Sequence, residues 1–223
     1  VTSTKFSESP DKLPRSVEII NSEEIDNQQS SDIVDVLRKE PELTIKQNGS
    51  GGQSATVSIN GANSEHTLVL IDGIPVNDPS SPANGYDFSF LSENQASQIE
   101  IMEGNQSTLH GSNAIGGIIN IITVDPSEPF TNAKLSYGSF ENRKFSLSTG
   151  SGRGDTSYKI GVHGSDSIGQ SAASESAGNT ELDGHKAVGG FISGTKNFDN
   201  YEVKLSGKIS TTETETDDYG GEG

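Results

Sequence analysis

The pattern of apolar and polar positions along the chain changes near residue 130. Before that point, dense apolar runs such as Leu68 to Ile71 and Ile115 to Ile122 stand between polar loops. After it, apolar and polar residues alternate along successive segments. Dense apolar runs predict strands, and strict alternation predicts strands with one apolar and one polar face. We therefore divide the chain into a flexible N-terminal segment over residues 1–14, a first domain over 15–130 and a second over 131–223.

The first domain is predicted to contain two helices and a series of strands. Asn21, with Glu24 three residues later, has the spacing of a capping box, so a helix is expected to begin there. A second helix is predicted over residues 32–39, capped by Ser31 and followed by Pro41. The predicted strands cover residues 16–20, 43–45, 55–59, 67–71, 98–103 and 117–123, with a helical turn over 106–109. The first domain is therefore predicted to be of the α+β class.

The second domain is predicted to contain five antiparallel strands of roughly nine to ten residues, joined by polar turns or loops. In the third of them, Tyr158, Ile160 and Val162 alternate with polar or small residues. This alternation is typical of a transmembrane β-barrel, whose apolar side chains face lipid. A soluble sandwich with one buried face has the same period, and the pattern alone does not separate the two folds. Because five strands in lipid would leave an unpaired edge, the barrel interpretation implies an incomplete barrel.

Composition and charge narrow the classes of partner and cofactor. Apolar residues make up only 29% of the 223 residues, and the formal net charge is −17. Residues 1–130 carry most of this charge, with six basic and 19 acidic residues. Nucleic acid is excluded as a partner, because its phosphates must be neutralised by Lys and Arg. The chain has no cysteine, hence no disulfide or thiolate metal site, and no apolar run of about 18 residues that would form a transmembrane helix.

Few residues have the spacing of a catalytic or metal site. The glycine-rich segments 49–52 and 111–117 lack the Lys-Ser/Thr of a phosphate-binding loop, and the four histidines have no metal-binding spacing. We therefore predict no enzyme activity and no required cofactor. Two acidic segments of the second domain remain of interest, one in the loop between the third and fourth predicted strands and one after the fifth. Calcium takes about six to eight oxygen ligands, often from loops. The candidate calcium ligands are Glu181, Asp183, Asp217 and Asp218, although a solvated acidic rim would have the same composition.

Four motifs in the first domain resemble the plug domain of TonB-dependent outer-membrane receptors. The segment from Gly111 to Thr123 is similar to the signature that closes the plug. The segment from Asp32 to Pro41 resembles a plug helix that ends in a proline. Val57 to Gly61 with Leu68 to Gly73 resembles the central strand pair, and Ile99 to Gly104 resembles the strand before the final turn. The order and spacing of the motifs also agree, and the loop pattern is most similar to that of the cobalamin receptors.

The resemblance implies a transporter in the outer membrane of a Gram-negative bacterium, with a plug held inside a barrel of roughly 22 strands. It implies that loops at the plug apex bind a small-molecule ligand and that an N-terminal Ton box contacts the periplasmic protein TonB. The implied substrate contacts are Asn48, Ser50, Gln53, Ser80, Ser81 and Asn84, and the implied TonB contacts are Val1 and Thr2. The family usually has an arginine at Asn60 and Arg-Gly-Pro at Glu103 to Asn105, so plug–barrel contacts are expected to use other residues.

Three functions are consistent with these observations. The first is import of cobalamin or a related corrinoid, energised by TonB and gated by the plug. The second is import of a ferric siderophore by the same mechanism. The third, from a different class, is a surface β-rich protein that binds a ligand without transporting it. A signal peptide, a Ton box and further alternating strands in the native gene would favour import over simple binding.

Overall fold

The computed structural model describes residues 17–28, 30, 32–47, 54–80, 84–91, 96–124, 126–169 and 183–215. These residues form two compact units, of which the first ends at Val124 and the second begins after it.

The described residues of the first unit contain three α-helices, α1 (Ser22–Asn27), α2 (Ile33–Leu37) and the single turn α3 (Ser107–His110). The predicted capping box of α1 is confirmed, because Asn21 Oδ1 accepts from Glu24 N and Glu24 Oε2 accepts from Asn21 N. The predicted cap of α2 is wrong. Asp32, not Ser31, caps this helix through the bond from Asp35 N to its side chain, and α2 ends at Leu37 rather than at residue 39.

Seven strands complete the first unit. They are β1 (Val17–Asn21), β2 (Leu43–Gln47), β3 (Ala55–Ile59), β4 (Thr67–Ile71), β5 (Ile74–Pro75), β6 (Ala96–Glu103) and β7 (Gly117–Thr123). Five of them form one sheet in the order β1-β6-β7-β4-β5, and β2 and β3 form a separate antiparallel pair. The pairing of β4 with β7 is parallel, whereas β1, β6 and β7 pair antiparallel. All predicted strands of this domain are present, with small shifts at their ends.

The core of the first unit lies mainly on one face of this sheet. Val69, Ile99 and Ile119 alternate with residues of the opposite face and are almost fully buried. They pack in one cluster with Ile25 of α1, residues of α2 such as Leu37, and residues of β2 and β3. Burial of each such side chain stabilises the fold by about 1.5–3 kcal/mol. The opposite face carries a smaller cluster of Leu68, Leu70, Met102, Ala114 and Ile118.

The second unit is a five-stranded antiparallel sheet in which each strand pairs with the next one in the sequence. Its strands are β8 (Phe130–Tyr137), β9 (Arg143–Arg153), β10 (Thr156–Ser167), β11 (His185–Phe198) and β12 (Tyr201–Thr214). The five predicted strands are therefore confirmed. Four of them are longer than expected, since β9 has 11 residues, β10 has 12, and β11 and β12 have 14 each.

The register of this sheet places the alternating apolar residues on one common face. Cross-strand neighbours form rows, one of which contains Ala133, Leu147, Val162 and Ile209. These side chains are exposed, and the exposed fraction reaches 85% for Leu135 and 78% for Leu205. The polar face has rows of its own, such as Lys134, Ser146, His163, Gly189 and Ser210. A sandwich would bury the apolar face, so the exposed face supports barrel strands instead.

Among the residues that the structure covers, no helix is long and apolar enough to cross a membrane.

Candidate functional site

The structure describes only part of the site predicted from the sequence. Ser80 and Asn84 are the two predicted substrate contacts that it places. The other four, Asn48, Ser50, Gln53 and Ser81, lie outside the described residues, as do Val1 and Thr2 of the predicted TonB contact. Of the candidate calcium ligands, Asp183 is described, whereas Glu181, Asp217 and Asp218 are not.

The loop that contains Ser80 and Asn84 is fixed at its base by Asn77. The Asn77 Nδ2 group donates to Thr67 O at 3.1 Å and to Asn84 O at 3.0 Å, and its Oδ1 accepts from Val69 N at 2.8 Å. One side chain thus joins both ends of the loop to β4. Asn77 was not predicted as a functional residue. The Asn-Asp-Pro run after Val76 is a turn signal that would have identified it.

Ser80 and Asn84 have defined conformations within this loop. The Ser80 hydroxyl donates to Asp78 Oδ1 at 2.6 Å, and Ser80 N donates to the same oxygen at 2.8 Å. Asn84 has a φ of 42°, in the left-handed region that asparagine tolerates better than most residues. A ligand that reaches Ser80 would therefore meet a hydroxyl group with the Asp78 carboxylate beside it.

Asp87 connects the two loops that were predicted to bind substrate. Its Oδ1 accepts from Ala55 N at 3.0 Å and from Ser89 N at 2.9 Å. Ala55 begins β3, directly after the first predicted loop, and Asp87 follows the second loop. The bases of both loops therefore lie together. Beside Asp87, burial and the nearby carboxylate raise the pKa of the Tyr86 hydroxyl above its ordinary range, and the ring packs edge-on against Phe88.

Glycines in the closing motif permit close backbone approach. A Cβ at Gly117, whose φ is 148°, would lie 2.5 Å from Met102 O, and a Cβ at Gly116 would lie 3.1 Å from His66 O. Any side chain at Gly117 would therefore have to displace β6. The Gly-Gly pair is therefore a packing requirement, Gly117 against β6 and Gly116 against the segment before β4.

A chain of polar contacts links β4, β6 and β7 behind this motif. Asn120 Nδ2 donates to Glu100 Oε2 at 3.2 Å, and Asn120 Oδ1 accepts from Gly73 N at 3.2 Å. Asp72 accepts from both Thr123 N and Thr123 Oγ1, at 2.8 and 2.6 Å. Glu100 and Asn120 are fully buried. These contacts fix the turn after β4 to the end of β7, where the first unit ends.

Asn60 and Glu103, the two positions at which this chain lacks the family's usual arginine, contact each other. Asn60 Nδ2 donates to Glu103 Oε2 at 2.7 Å, so the amide and carboxylate at the positions of the usual arginines form a hydrogen bond within the unit.

The described ends of the two acidic segments, at residues 183–184 and at residue 215, are neighbours in the second unit. Glu215 N donates to Gly184 O at 2.9 Å, and Asp183 is only 3% exposed. A cavity of about 450 Å³ lies beside them, lined by residues of β10, β11 and β12. However, the one group of three possible metal ligands among the described residues lies elsewhere, at Glu18, Glu40 and Glu42. The calcium site therefore stays a prediction.

The comparisons with known proteins agree with this architecture. Residues 9–118 match the family described as TonB-dependent Receptor Plug Domain. A mutant of the ferric enterobactin receptor PfeA of Pseudomonas aeruginosa, in complex with enterobactin, matches with 18% identity and a TM-score of 0.70, over 91% of this chain and 34% of that one. The receptor FpvA of P. aeruginosa bound to pyoverdine matches with 16% identity and a TM-score of 0.72, over 92% of this chain and 29% of that one. A complex of FpvAI with pyocin S2 matches with 18% identity and a TM-score of 0.72, over 96% of this chain and 28% of that one.

The chain thus spans about a third of the length of the solved receptors that it matches, and at this level of identity the likeness concerns the fold. The match to the plug family, the mixed plug sheet and the antiparallel sheet that follows it agree with one another. The chain belongs to the TonB-dependent receptor family of the Gram-negative outer membrane, with a plug domain followed by strands of a barrel wall.

Proposed function

We propose that the full-length protein is a TonB-driven importer of a ferric siderophore. The observation that carries the proposal is the plug domain, matched by its family over residues 9–118 and followed by barrel strands. The solved structures of similar fold include receptors for enterobactin and pyoverdine, which favours a siderophore over the other ligands. The protein gates and moves its ligand, and no catalytic step is needed.

The plug loops are the proposed ligand surface. Asp87 holds the bases of the two loops together, and Asn77 fixes the base of the second loop to β4. A loop that is fixed at its base loses less conformational entropy when it binds a ligand. In this proposal Asn48, Ser50, Gln53, Ser80, Ser81 and Asn84 supply the polar contacts. Val1 and Thr2 would belong to the segment that contacts TonB.

Cobalamin was the first expectation from the loop pattern, and it stays a prediction without support from the solved structures of similar fold. Uptake of radiolabelled iron as a ferric siderophore and of radiolabelled cobalamin would separate the two ligands. The assay uses a bacterial strain that lacks its own receptors and expresses the full-length protein, with and without TonB. We expect TonB-dependent iron uptake. Cobalamin uptake without iron uptake would reject the siderophore assignment, and TonB-independent uptake would reject the mechanism.

Substitutions in the loops test the ligand surface separately. We expect Asn48→Trp and Ser80→Trp to weaken ligand binding at least tenfold, measured by fluorescence quenching on the purified receptor. Asn84 is less suitable, because a bulky residue would strain its left-handed backbone. Glu23→Trp, at an exposed position on α1, is the matched control. Unchanged affinity in both loop variants would contradict the assignment of these residues.

A further inference from the structure

The first unit has an open sheet edge at β1. This strand pairs with β6 on one side, and among the described residues no strand pairs with its other side. Asn21 N donates to Glu24 Oε2 at 2.9 Å rather than to β6. Because residues that bond the neighbouring strand alternate with residues that face away from it, Val17 and Ile19 direct their N–H and C=O groups to the open edge. Such an edge is a template for another extended chain.

A groove runs beside this edge. Its volume is about 460 Å³, within the range of ordinary ligand sites. One wall consists of Glu18, Ile19 and Ile20 of β1. The other wall consists of Glu24, Asn27 and Gln28 around α1, and of Lys39 and Glu40 after α2. The groove therefore combines an unpaired backbone edge with side chains that can select an occupant.

The charge around the groove is negative. Glu18, Glu40 and Glu42 have carboxylate oxygens that all lie within 4.8 Å of one another. Burial raises the pKa of Glu18 to about 7, with further contributions from hydrogen bonding and repulsion by Glu40 and then by Glu42. Glu24 adds a fourth carboxylate. Of the described residues that line the groove, Lys39 is the single cation, and its Nζ donates to Gln28 O at 3.4 Å. Arg38 does not line the groove; its guanidinium donates to Gln47 Oε1 at 2.7 Å.

We propose that the β1 edge and its groove bind an extended segment of a second protein, which adds to the plug sheet as a strand and carries Lys or Arg at alternate positions. Its backbone pairs with Val17 and Ile19. Its cationic side chains enter the acidic groove and replace the proton that the crowded carboxylates would otherwise share. Main-chain pairing supplies affinity, and the side chains that alternate along the strand supply specificity. This surface is distinct from the ligand loops, so the inference does not depend on which substrate is imported.

The test uses the purified full-length receptor in detergent and a fluorescein-labelled peptide of eight residues in which Lys and Val alternate. We expect this peptide to bind, as measured by fluorescence anisotropy. A peptide with Glu in place of Lys, and the Lys peptide with N-methyl groups on alternate residues, should bind at least tenfold more weakly. Hydrogen exchange should slow at the Val17 and Ile19 amides when the Lys peptide binds, with little change at Glu18 and Ile20, which already pair with β6.

Variants of the receptor locate the site. We expect the pair Glu18→Gln and Glu40→Gln to weaken binding of the Lys peptide at least tenfold, and Ile19→Pro to abolish it by removing an outward N–H group. Proline is tolerated at the edge of a sheet, so this variant retains the β6 pairing. Glu23→Gln, which removes one carboxylate from α1 outside the groove, should have no effect.

Several results would overturn the proposal. Equal binding of the Glu peptide or of the N-methylated peptide would exclude charge selection or strand addition. Binding that is unaffected by both the glutamine pair and Ile19→Pro would place the peptide elsewhere. If the Val17 and Ile19 amides are already protected in the receptor alone, and deletion of residues 1–16 exposes them, the occupant is this chain's own N-terminal segment rather than a partner.

Discussion

The plug domain and the barrel sheet use their apolar residues in opposite ways. In the plug, isoleucines such as Ile99, Ile119 and Ile121 are fully buried between a sheet and two short helices. In the barrel sheet, Leu135 and Leu205 are the most exposed large apolar residues in the part of the chain that the structure describes. Both units are β-rich and contain similar apolar residue types. The difference shows that the environment of each face of a sheet, whether protein interior or lipid, determines at which positions of a strand apolar residues occur.

The difference also explains the two sequence patterns. A plug strand such as β7 contacts protein on both faces, so Ile118, Ile119, Ile121 and Ile122 follow one another with Asn120 as the one polar exception. A strand of the barrel sheet such as β10 has one apolar and one polar face, so its residues alternate.

The plug core should be the most sensitive to truncation. Ile119→Ala removes buried methyl groups from the centre of the main cluster, which costs about 2–5 kcal/mol of unfolding free energy. Calorimetry on the full-length receptor should show a lower midpoint for the plug transition. Leu205→Ala, at an exposed position of the barrel sheet, is the matched control and should leave that transition unchanged. Equal shifts for both variants would contradict the contrast between the units.

The barrel sheet should instead be sensitive to charge on its apolar face. Leu205→Arg places a cation where we infer lipid contact, and near the bilayer midplane this costs about 2–4 kcal/mol. Ser206→Arg, one residue later, places the same charge on the polar face. Folding of the full-length protein into lipid vesicles, followed by urea titration, should be weakened by the first change far more than by the second. The reverse order would mean that the faces are assigned wrongly.

The buried polar contacts of the plug should contribute an intermediate effect. Asn120→Ala removes the bonds to Glu100 Oε2 and Gly73 N, and the loss of buried hydrogen bonds of this kind costs about 1–3 kcal/mol. Ser80→Ala removes an exposed hydrogen bond to Asp78 and should cost less than about 0.5 kcal/mol. Chemical denaturation of the full-length receptor, followed through the plug transition, measures both. A larger loss from Ser80→Ala would contradict the structural role of Asn120.

The smallest effect concerns pH. The pKa of Glu18 is raised to about 7 in the folded plug, against 4.5 for the ordinary side chain, chiefly by burial. The folded state therefore binds more protons than the unfolded state between these values, and stability falls as pH rises from about 4.5 to about 7. Because Glu18 is partly exposed, solvent screening limits the loss to about 1 kcal/mol. Glu18→Gln should flatten this part of the stability curve, measured by denaturation at several pH values, whereas Glu23→Gln should leave it unchanged.

Local pattern was enough to predict most elements, because helix caps, turns and strands depend on nearby residues. The Asn21 and Glu24 capping box and the alternating strands illustrate this. The cap of α2 was predicted one residue too early, since Ser31 and Asp32 are both good capping residues and only the bond to Asp35 N distinguishes them. Of the candidate site, the sequence indicated Ser80 and Asn84 but not Asn77 and Asp87, whose role depends on partners in β3 and β4.

The amino-acid sequence alone is enough to identify the plug motifs, the change of pattern near residue 130 and the face of each barrel strand that carries apolar residues. Three features become visible only in the folded chain: the parallel pairing of β4 with β7, the hydrogen bond between Asn60 and Glu103, and the crowding of Glu18 with Glu40 and Glu42. The reason is the distance along the chain between the residues that interact. Periodicity reports the environment of a residue through its neighbours in sequence, whereas these contacts join residues more than 20 positions apart that no local pattern relates.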